Sequence, residues 1–300
     1  MQCSFCKEKA VFEALYNGTS LCREHFFNSV EKRFRQELRE QISLNGERTR
    51  ISVAISGGKD SSVLLYLLHK TLSERRDVML DAFTIDEGIE GYRSEGLKSA
   101  IELSSNLGIQ HRTLSFMEAF GRDMDGIVKS SIEGTPCSRC GPMRRKLINE
   151  ASLNVNSNYV ALGMNLDDYS QSVLMNVARG DLERTLRMAP HQKIDGTLVP
   201  RIVPLRRIYE KEIKLYAVLK GIPHDSGWCP YSEAAQRNRF RDILNELETF
   251  SPGTKFSVLN FSDSLRKVIH ANRIVTIGKC SLCGSPSSED VCQTCRLINS

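Results

Sequence analysis

An α/β fold is predicted for this chain, with a parallel sheet in the middle and a small metal-binding module at each end. Three observations carry the prediction. Apolar β-type runs alternate with helical patterns through the central region, as parallel strands joined by crossover helices do. A glycine-rich turn joins the first of those strands to its helix. Paired cysteines recur near both ends at spacings that suit a tetrahedral metal. At 300 residues, 40% hydrophobic and 26% charged, the chain can fill one sizeable core and one or two appendages.

The bulk properties narrow the function classes. No apolar run reaches the length of a membrane span, and Met1-Gln2-Cys3-Ser4 lacks the basic-then-apolar layout of a secretory signal. A cytoplasmic location with no membrane partner is expected. The formal charge of +5 and pI near 8.6 permit a polyanionic partner without requiring one. Ten cysteines in such a chain read as metal ligands, because the cytosol keeps thiols reduced.

In chain order, residues 1–28 form a cysteine-bearing unit too small for a hydrophobic core of its own, so a metal or a neighbour must hold it together. Phe27, Val30, Phe34, Leu38 and Ile42 recur at helical spacing among many charges and predict an amphipathic helix within a linker at 29–49. The catalytic region is expected at 50–227. Strands are predicted at Ile51–Ile55, Val78–Ile85, His111–Phe116 and Tyr159–Leu162, with helices at Ser62–Leu72, Ser94–Leu107, Arg144–Ser152 and Asp167–Val177. Beyond Trp228 the chain turns polar and helical, with helices expected at Ala234–Phe250 and Ser262–Ile269. That extension, 228–275, leads into a second cysteine module at 276–300.

The strand Ile51-Ser52-Val53-Ala54-Ile55 runs directly into Ser56-Gly57-Gly58-Lys59-Asp60-Ser61-Ser62 and then into an apolar helix. Glycines remove Cβ atoms where backbone must approach phosphate oxygens, and a helix start offers free N–H groups at a positive dipole end. Ser56 and Ser61 add hydroxyls, Lys59 a point charge, and Asp60 a carboxylate able to hold Mg2+. A Walker A loop is excluded, since Asp60 follows the lysine.

Cys3-x-x-Cys6 with Cys22-x-x-His25, and Cys280-x-x-Cys283 with Cys292-x-x-Cys295, have the pair-spacer-pair spacing of structural Zn2+ sites. They leave Cys137, Cys140 and Cys229. Three thiolates suit a cuboidal iron–sulfur cluster with one iron open to an exogenous ligand. A Cys137/Cys140 redox pair carrying persulfide and a third zinc are the other readings.

The form Ser-Gly-Gly-Lys-Asp-Ser resembles the pyrophosphate loop of N-type ATP pyrophosphatases, the PP-loop or adenine nucleotide alpha hydrolase-like fold. With the cysteine sets, the whole chain resembles the tRNA 2-thiouridine synthetases of the TtcA/TtuA superfamily. Supporting stretches are 84–93, Pro136-Cys137-Ser138-Arg139-Cys140-Gly141, Gly163-Met164-Asn165-Leu166-Asp167-Asp168 and 173–181. Their forms are closer to the archaeal and eukaryotic branch that thiolates the wobble uridine than to the branch acting on the T-loop. The resemblance implies ATP-dependent adenylation of a tRNA uridine at the C2 oxygen, then sulfur transfer, with a 4Fe-4S cluster. Asp60 and Asp168 would be essential acidic residues. Ala54, Ser56, Ile85, Gly163 and Asp168 would hold ATP with Gly57, Gly58, Lys59, Asp60, Ser61 and Ser62.

Met164 stands where that family has a histidine, so no proton transfer is assigned there. Arg144 stands where the T-loop branch has a lysine; always charged, it suits stabilising an adenylate rather than acting as a base. The implied sulfur donor is a ubiquitin-like protein thiocarboxylate or sulfide, and a homodimer is compatible with apolar terminal modules. Basic residues able to meet RNA cluster at Lys32, Arg33, Arg35 and Arg39; at Arg179, Arg184 and Arg187; at Arg201, Arg206 and Arg207; and at Arg237, Arg239 and Arg241. Tyr92 is a candidate for stacking on a base, while Trp228 is expected to anchor Cys229 in the core.

Overall fold

The structure, a computed structural model, describes residues 1–130, 134–191, 198–232, 237–270 and 278–299. An antiparallel hairpin, β1 (Phe12–Ala14) and β2 (Thr19–Leu21), leads into the helix Arg23–Gln41. The central sheet follows: β3 (Thr49–Ala54), β4 (Val78–Asp86), β5 (His111–Ser115), β6 (Tyr159–Leu162) and β7 (Arg201–Ile202). Its order is β5-β4-β3-β6-β7 and every pairing is parallel. A second short hairpin, β8 (Gly278–Lys279) and β9 (Pro286–Ser287), opens the C-terminal module.

The apolar run Ile51, Val53, Ile55 is buried because β3 is central and covered on both faces. On one face Phe26, Val30, Phe34 and Leu38 pack with Leu64, Leu68, Ile213 and Tyr216. They come from the helices Arg23–Gln41, Lys59–Leu72 and Glu210–Lys220. The residues expected in a linker helix thus belong to the main core. On the other face Phe83, Ile85 and Val160 meet Phe116, Met124, Met143 and Leu147, the last two from the helix Pro136–Leu153. Leu166, Tyr169 and Val173 of the helix Leu166–Ala178 pack with Leu259 of the helix Thr254–His270.

The four predicted strands are present within a residue or two at their ends, and β7 adds a fifth too short for a periodic signal. The helix expected at Arg144–Ser152 begins eight residues earlier, capped by Thr135 with Pro136 in its first turn, so Cys137 and Cys140 are helical. The C-terminal helix is described from Arg237 to Phe250; its expected start at Ala234 lies outside the described residues.

From β3 the chain moves outward to β4 and β5, then returns to the far side of β3 as β6 and β7. The connections leave in opposite directions between β3 and β6. That switch opens a crevice at the strands' carboxyl ends, where α/β sheets bind ligands.

Several basic clusters turn inward. Arg206 meets Glu37 at 2.7 Å and Asp263 at 2.7 Å, and Arg207 meets the same two carboxylates at 2.5 and 3.1 Å. Arg33 pairs with the fully buried Glu212 at 2.6 Å. These three arginines tie the N-terminal helix to the core and are spent on the fold, which corrects their place among RNA-facing candidates.

Candidate functional site

The glycine loop sits at the switch point. Thr84 Oγ1 donates to the Ile55 carbonyl at 2.7 Å, and Ile55 N–H donates to the Phe83 carbonyl at 2.9 Å, which fixes the strand end. Gly57 has φ +80, and a Cβ there would fall 1.8 Å from the Gly96 carbonyl oxygen. The loop therefore lies backbone to backbone on the helix Arg93–Asn106. A Cβ on Gly163, just past β6, would lie 2.8 Å from Ser61 N. These are the places where only glycine fits.

Gly58 is the N-cap of the helix Lys59–Leu72 and gives it no side-chain cap. The first-turn N–H groups, which lack intrahelical acceptors, are thus available to an anion. Ser56 and Ser61 face each other with their hydroxyls 3.1 Å apart. Asp225 N–H donates to the Gly57 carbonyl at 2.8 Å, which brings the segment after the helix Glu210–Lys220 against the loop. Ala54 and Ile85 line the carboxyl ends of β3 and β4, while Ser62 is fully buried with its hydroxyl unpartnered. The donor set of the loop fits a polyphosphate.

Carboxylates gather beside it. Lys59 Nζ lies between Asp60 at 3.0 Å and Glu210 at 2.7 Å. Asn165, N-cap of the helix Leu166–Ala178, donates to Asp60 Oδ1 at 2.9 Å and accepts from Asp168 N–H at 2.8 Å. One side chain thereby sets the two expected acidic residues relative to each other. Burial pushes Asp60 above the usual carboxylate range, against the pull of Lys59. Asp168 is pushed up to about 6 by burial, with Asp60, Glu210 and Asp167 adding repulsion that Arg237 at 3.6 Å only partly offsets. Like charges held this close suit a divalent cation, which relieves their repulsion.

Cys137, Cys140 and Cys229 are exposed, half-buried and half-buried. Cys140 and Cys229 pack with Tyr92 and Tyr231 on the second core. The three are near enough for the charges of Cys137 and Cys229 to act on Cys140. They are not gathered as one mononuclear site: among the described residues, only the two terminal sets bring their ligand atoms within 4.8 Å of one another. Sulfurs around one zinc stand about 3.8 Å apart, given Zn–S bonds of about 2.3 Å. A cluster that spreads its thiolates over different irons tolerates the wider spacing, so the third-zinc reading fits this geometry least. Burial pushes the Cys140 thiol up to about 11. A free thiol so placed stays protonated at neutral pH, whereas a coordinating metal removes the proton.

The terminal sets do match zinc. Cys6 and Cys22 sulfurs are 3.7 Å apart, Cys22 Sγ is 3.1 Å from His25 Nδ1, and Cys283 and Cys292 sulfurs are 3.8 Å apart. Cys3 completes the first set, and Cys280 and Cys295 the second.

Residues the sequence reading left without a role join the loop to the cysteines. Buried Glu87 binds Arg93 Nε at 2.8 Å, and Arg93 Nη1 donates to the Ser56 carbonyl at 3.1 Å. The other oxygen of Glu87 faces Arg144 at 3.6 Å. Arg144 thus stands among Cys140, Tyr92 and Cys137, and reaches the loop only through Glu87 and Arg93. Glu210, Asn165 and Asp225 also meet the site from distant parts of the chain. The sole signal for Glu87 and Arg93 was their place in the motif-like stretch 84–93. Trp228 is 69% exposed, with Arg241 5.4 Å from its ring, and does not anchor Cys229 in the core. Its ring finds too little apolar surface beside Cys229 to bury.

A parallel sheet with an uncapped glycine loop at its switch point defines a nucleotide-binding α/β protein. A family model described as a PP-loop domain matches residues 28–247, and one described as the N-terminal LIM domain of the 2-thiouridine synthetase TtuA matches residues 2–27. The tRNA 2-thiolation protein NcsA of Haloferax volcanii is 36% identical, with 100% of this chain and 99% of that protein aligned. The cytoplasmic tRNA 2-thiolation protein 1 of Danio rerio is 35% identical over 99% of this chain and 88% of its own length. The chain belongs to the PP-loop family, in the group of the tRNA 2-thiolation proteins. Among solved structures, the U34-tRNA thiolase NcsA of Methanococcus maripaludis with its 4Fe-4S cluster superposes with a TM-score of 0.86 at 32% identity, covering 100% of this chain and 96% of that one. Among the described residues no helix is long and apolar enough to cross a membrane.

Proposed function

We propose that this protein is an ATP-dependent tRNA uridine 2-sulfurtransferase that adenylates the C2 oxygen of the wobble uridine and exchanges that oxygen for sulfur. The observation that carries the reading is the joining of the glycine loop to the three-cysteine set by Arg93, Glu87 and Arg144. An adenylating centre and a sulfur-handling centre then share one carboxyl edge of the sheet. Likeness to a U34-tRNA thiolase supports the wobble position over the T-loop.

In this reading the uridine C2 oxygen attacks the α-phosphorus of ATP, the α–β bond breaks, and pyrophosphate departs into the loop amides, Ser56 and Lys59, which neutralise it. Asp60 and Asp168, aligned by Asn165, hold Mg2+ against the phosphates. Sulfur then attacks C2, and the oxygen leaves as part of AMP. Bound by Cys137, Cys140 and Cys229, a 4Fe-4S cluster supplies a position where inorganic sulfur is held. Arg144, permanently charged, offsets negative charge beside those cysteines. The two Zn2+ sites close the terminal modules at 1–28 and 276–300, and the catalytic residues fall in 50–227 apart from Cys229. A ubiquitin-like thiocarboxylate or sulfide delivers the sulfur, and a homodimer through exposed apolar residues such as Phe250 is part of the same reading.

The test is complementation of a deletion strain, with 2-thiouridine measured by mass spectrometry of digested tRNA and its position mapped by fragment analysis. The wild-type gene restores the nucleoside at the wobble position, and Asp60→Ala does not. Restoration by Asp60→Ala sinks the mechanism, and a thiolated T-loop moves the substrate to the other branch.

A further inference from the structure

Beside the cysteine site stand two arginines that no carboxylate meets. Elsewhere the fold matches its enclosed arginines with acids: Arg33 with Glu212, Arg93 with Glu87, Arg112 with Asp81, Arg206 with Glu37. The charges acting on Arg145 are those of Arg144 and Arg184, opposed only by Cys140. Arg201, on the edge strand β7, feels Arg145. Neither has a hydrogen-bond or ion-pair partner among the described residues.

The placement is built into the backbone. Arg145 lies on the helix Pro136–Leu153, and a Cβ on Gly141 would stand 3.1 Å from its Nη1. The guanidinium therefore folds back along the helix over a residue with no side chain, next to Cys140, as long helical side chains tend to do. Arg184 of the helix Leu182–Leu186 closes on the same point. Its own contact, Asp181 at 3.4 Å, joins side chains 59% and 33% exposed and holds it weakly. His191 adds no charge: burial and the nearby Arg201 and Arg266 keep it neutral, down at about 4. Burial and Arg145 push even Arg201 down to about 10. Enclosing like charges without partners is costly, and an anion brought from outside removes the cost.

We infer that Arg145, Arg184 and Arg201 form a receptor for successive backbone phosphates of the RNA whose base is presented to Cys137, Cys140 and Cys229. This rests on reading the chain as a tRNA-thiolating enzyme. Guanidinium forks take phosphate oxygens two at a time, and three side by side serve a run of phosphates, whereas the single terminal group of a protein sulfur donor would satisfy one. ATP has its own cradle at the glycine loop.

The test uses iron-loaded protein prepared without air and unmodified tRNA transcript, with binding measured over a series of salt concentrations. Arg145→Gln and Arg201→Gln each weaken binding about tenfold and lower the slope of log affinity against log salt by about one. Arg201→Lys, which keeps charge without the fork, falls between. Arg76→Gln, the same charge change at the opposite end of the sheet, leaves binding intact. Iron content and ATP affinity stay at wild-type values in each variant, which separates lost RNA contact from lost folding. Wild-type affinity and slope in both glutamine variants overturn the inference. So does intact tRNA binding with weakened binding of a ubiquitin-like protein thiocarboxylate, which reassigns the arginines to the donor. If the wild-type protein binds tRNA through these residues yet forms no thiouridine, the receptor stands and the proposed reaction falls. If it binds no tRNA, both fall.

Discussion

Replacing Gly57 by alanine tests the loop geometry directly. The residue has φ +80, which costs an L-amino acid about 1–2 kcal/mol. The new Cβ would sit 1.8 Å from the Gly96 carbonyl oxygen, 2.4 Å from its carbon and 2.6 Å from its Cα. All three are backbone atoms of a helix, so no side chain can rotate away, and relief requires the loop and that helix to part by more than an ångström. Overpacking of this kind costs about 1–3 kcal/mol, for a combined loss of roughly 2–5 kcal/mol. Gly121→Ala is the control, because Gly121 has φ +67 with nothing within 4 Å of its Cβ, and it loses only the backbone share, about 1–2 kcal/mol. Urea denaturation reads the stability of both. Pyrophosphate exchange into ATP in the presence of tRNA reads the loop's function, and a displacement of about 1 Å lowers that rate on the order of a hundredfold in Gly57→Ala. Equal stability loss and unimpaired exchange in the two variants would refute the claim that the loop is held backbone to backbone on that helix.

Two further outcomes follow from the site. Asp168→Asn should stabilise the fold while abolishing thiolation. The carboxyl, raised from 3.8 to about 6, binds its proton more tightly folded than unfolded, so its penalty is absent below pH 4, grows as pH rises toward 6 and is constant above. With the side chain one-third exposed, the gain at pH 7.5 is roughly 1–2 kcal/mol, vanishing near pH 4, as denaturation at the two pH values would show. Metal analysis separates the cysteine sets: Cys22→Ser lowers zinc and spares iron, whereas Cys137→Ser loses iron and keeps both zincs. Loss of zinc from Cys137→Ser would overturn the assignment.

Local chemistry was legible in the chain. A strand ending in Ser-Gly-Gly-Lys-Asp-Ser announces itself because strand, turn and helix are neighbours, and Cys-x-x-Cys pairs do so because one metal ties ligands a few residues apart. Four of five sheet strands were found by their apolar runs; β7, two residues long, was not. The length of the cysteine-bearing helix was underestimated, since Pro136 and Pro142 read as breakers although the first sits where a helix tolerates proline.

Partnership across the chain was not legible. Arg33, Arg206 and Arg207 read like Arg145 and Arg201 in sequence, yet the first three find Glu212, Glu37 and Asp263 while the last two find no acid. Trp228 looked like a core anchor and stands in solvent. The sequence by itself determined the parallel α/β class, the phosphate loop and the ligand sets, because each is written in residues close together along the chain. Only the tertiary structure decided that Glu87 and Arg93 couple the loop to the cysteines, that Asn165 aligns Asp60 with Asp168, and which arginines remain for an outside anion. Burial and charge pairing are set by residues that meet only once the chain has folded.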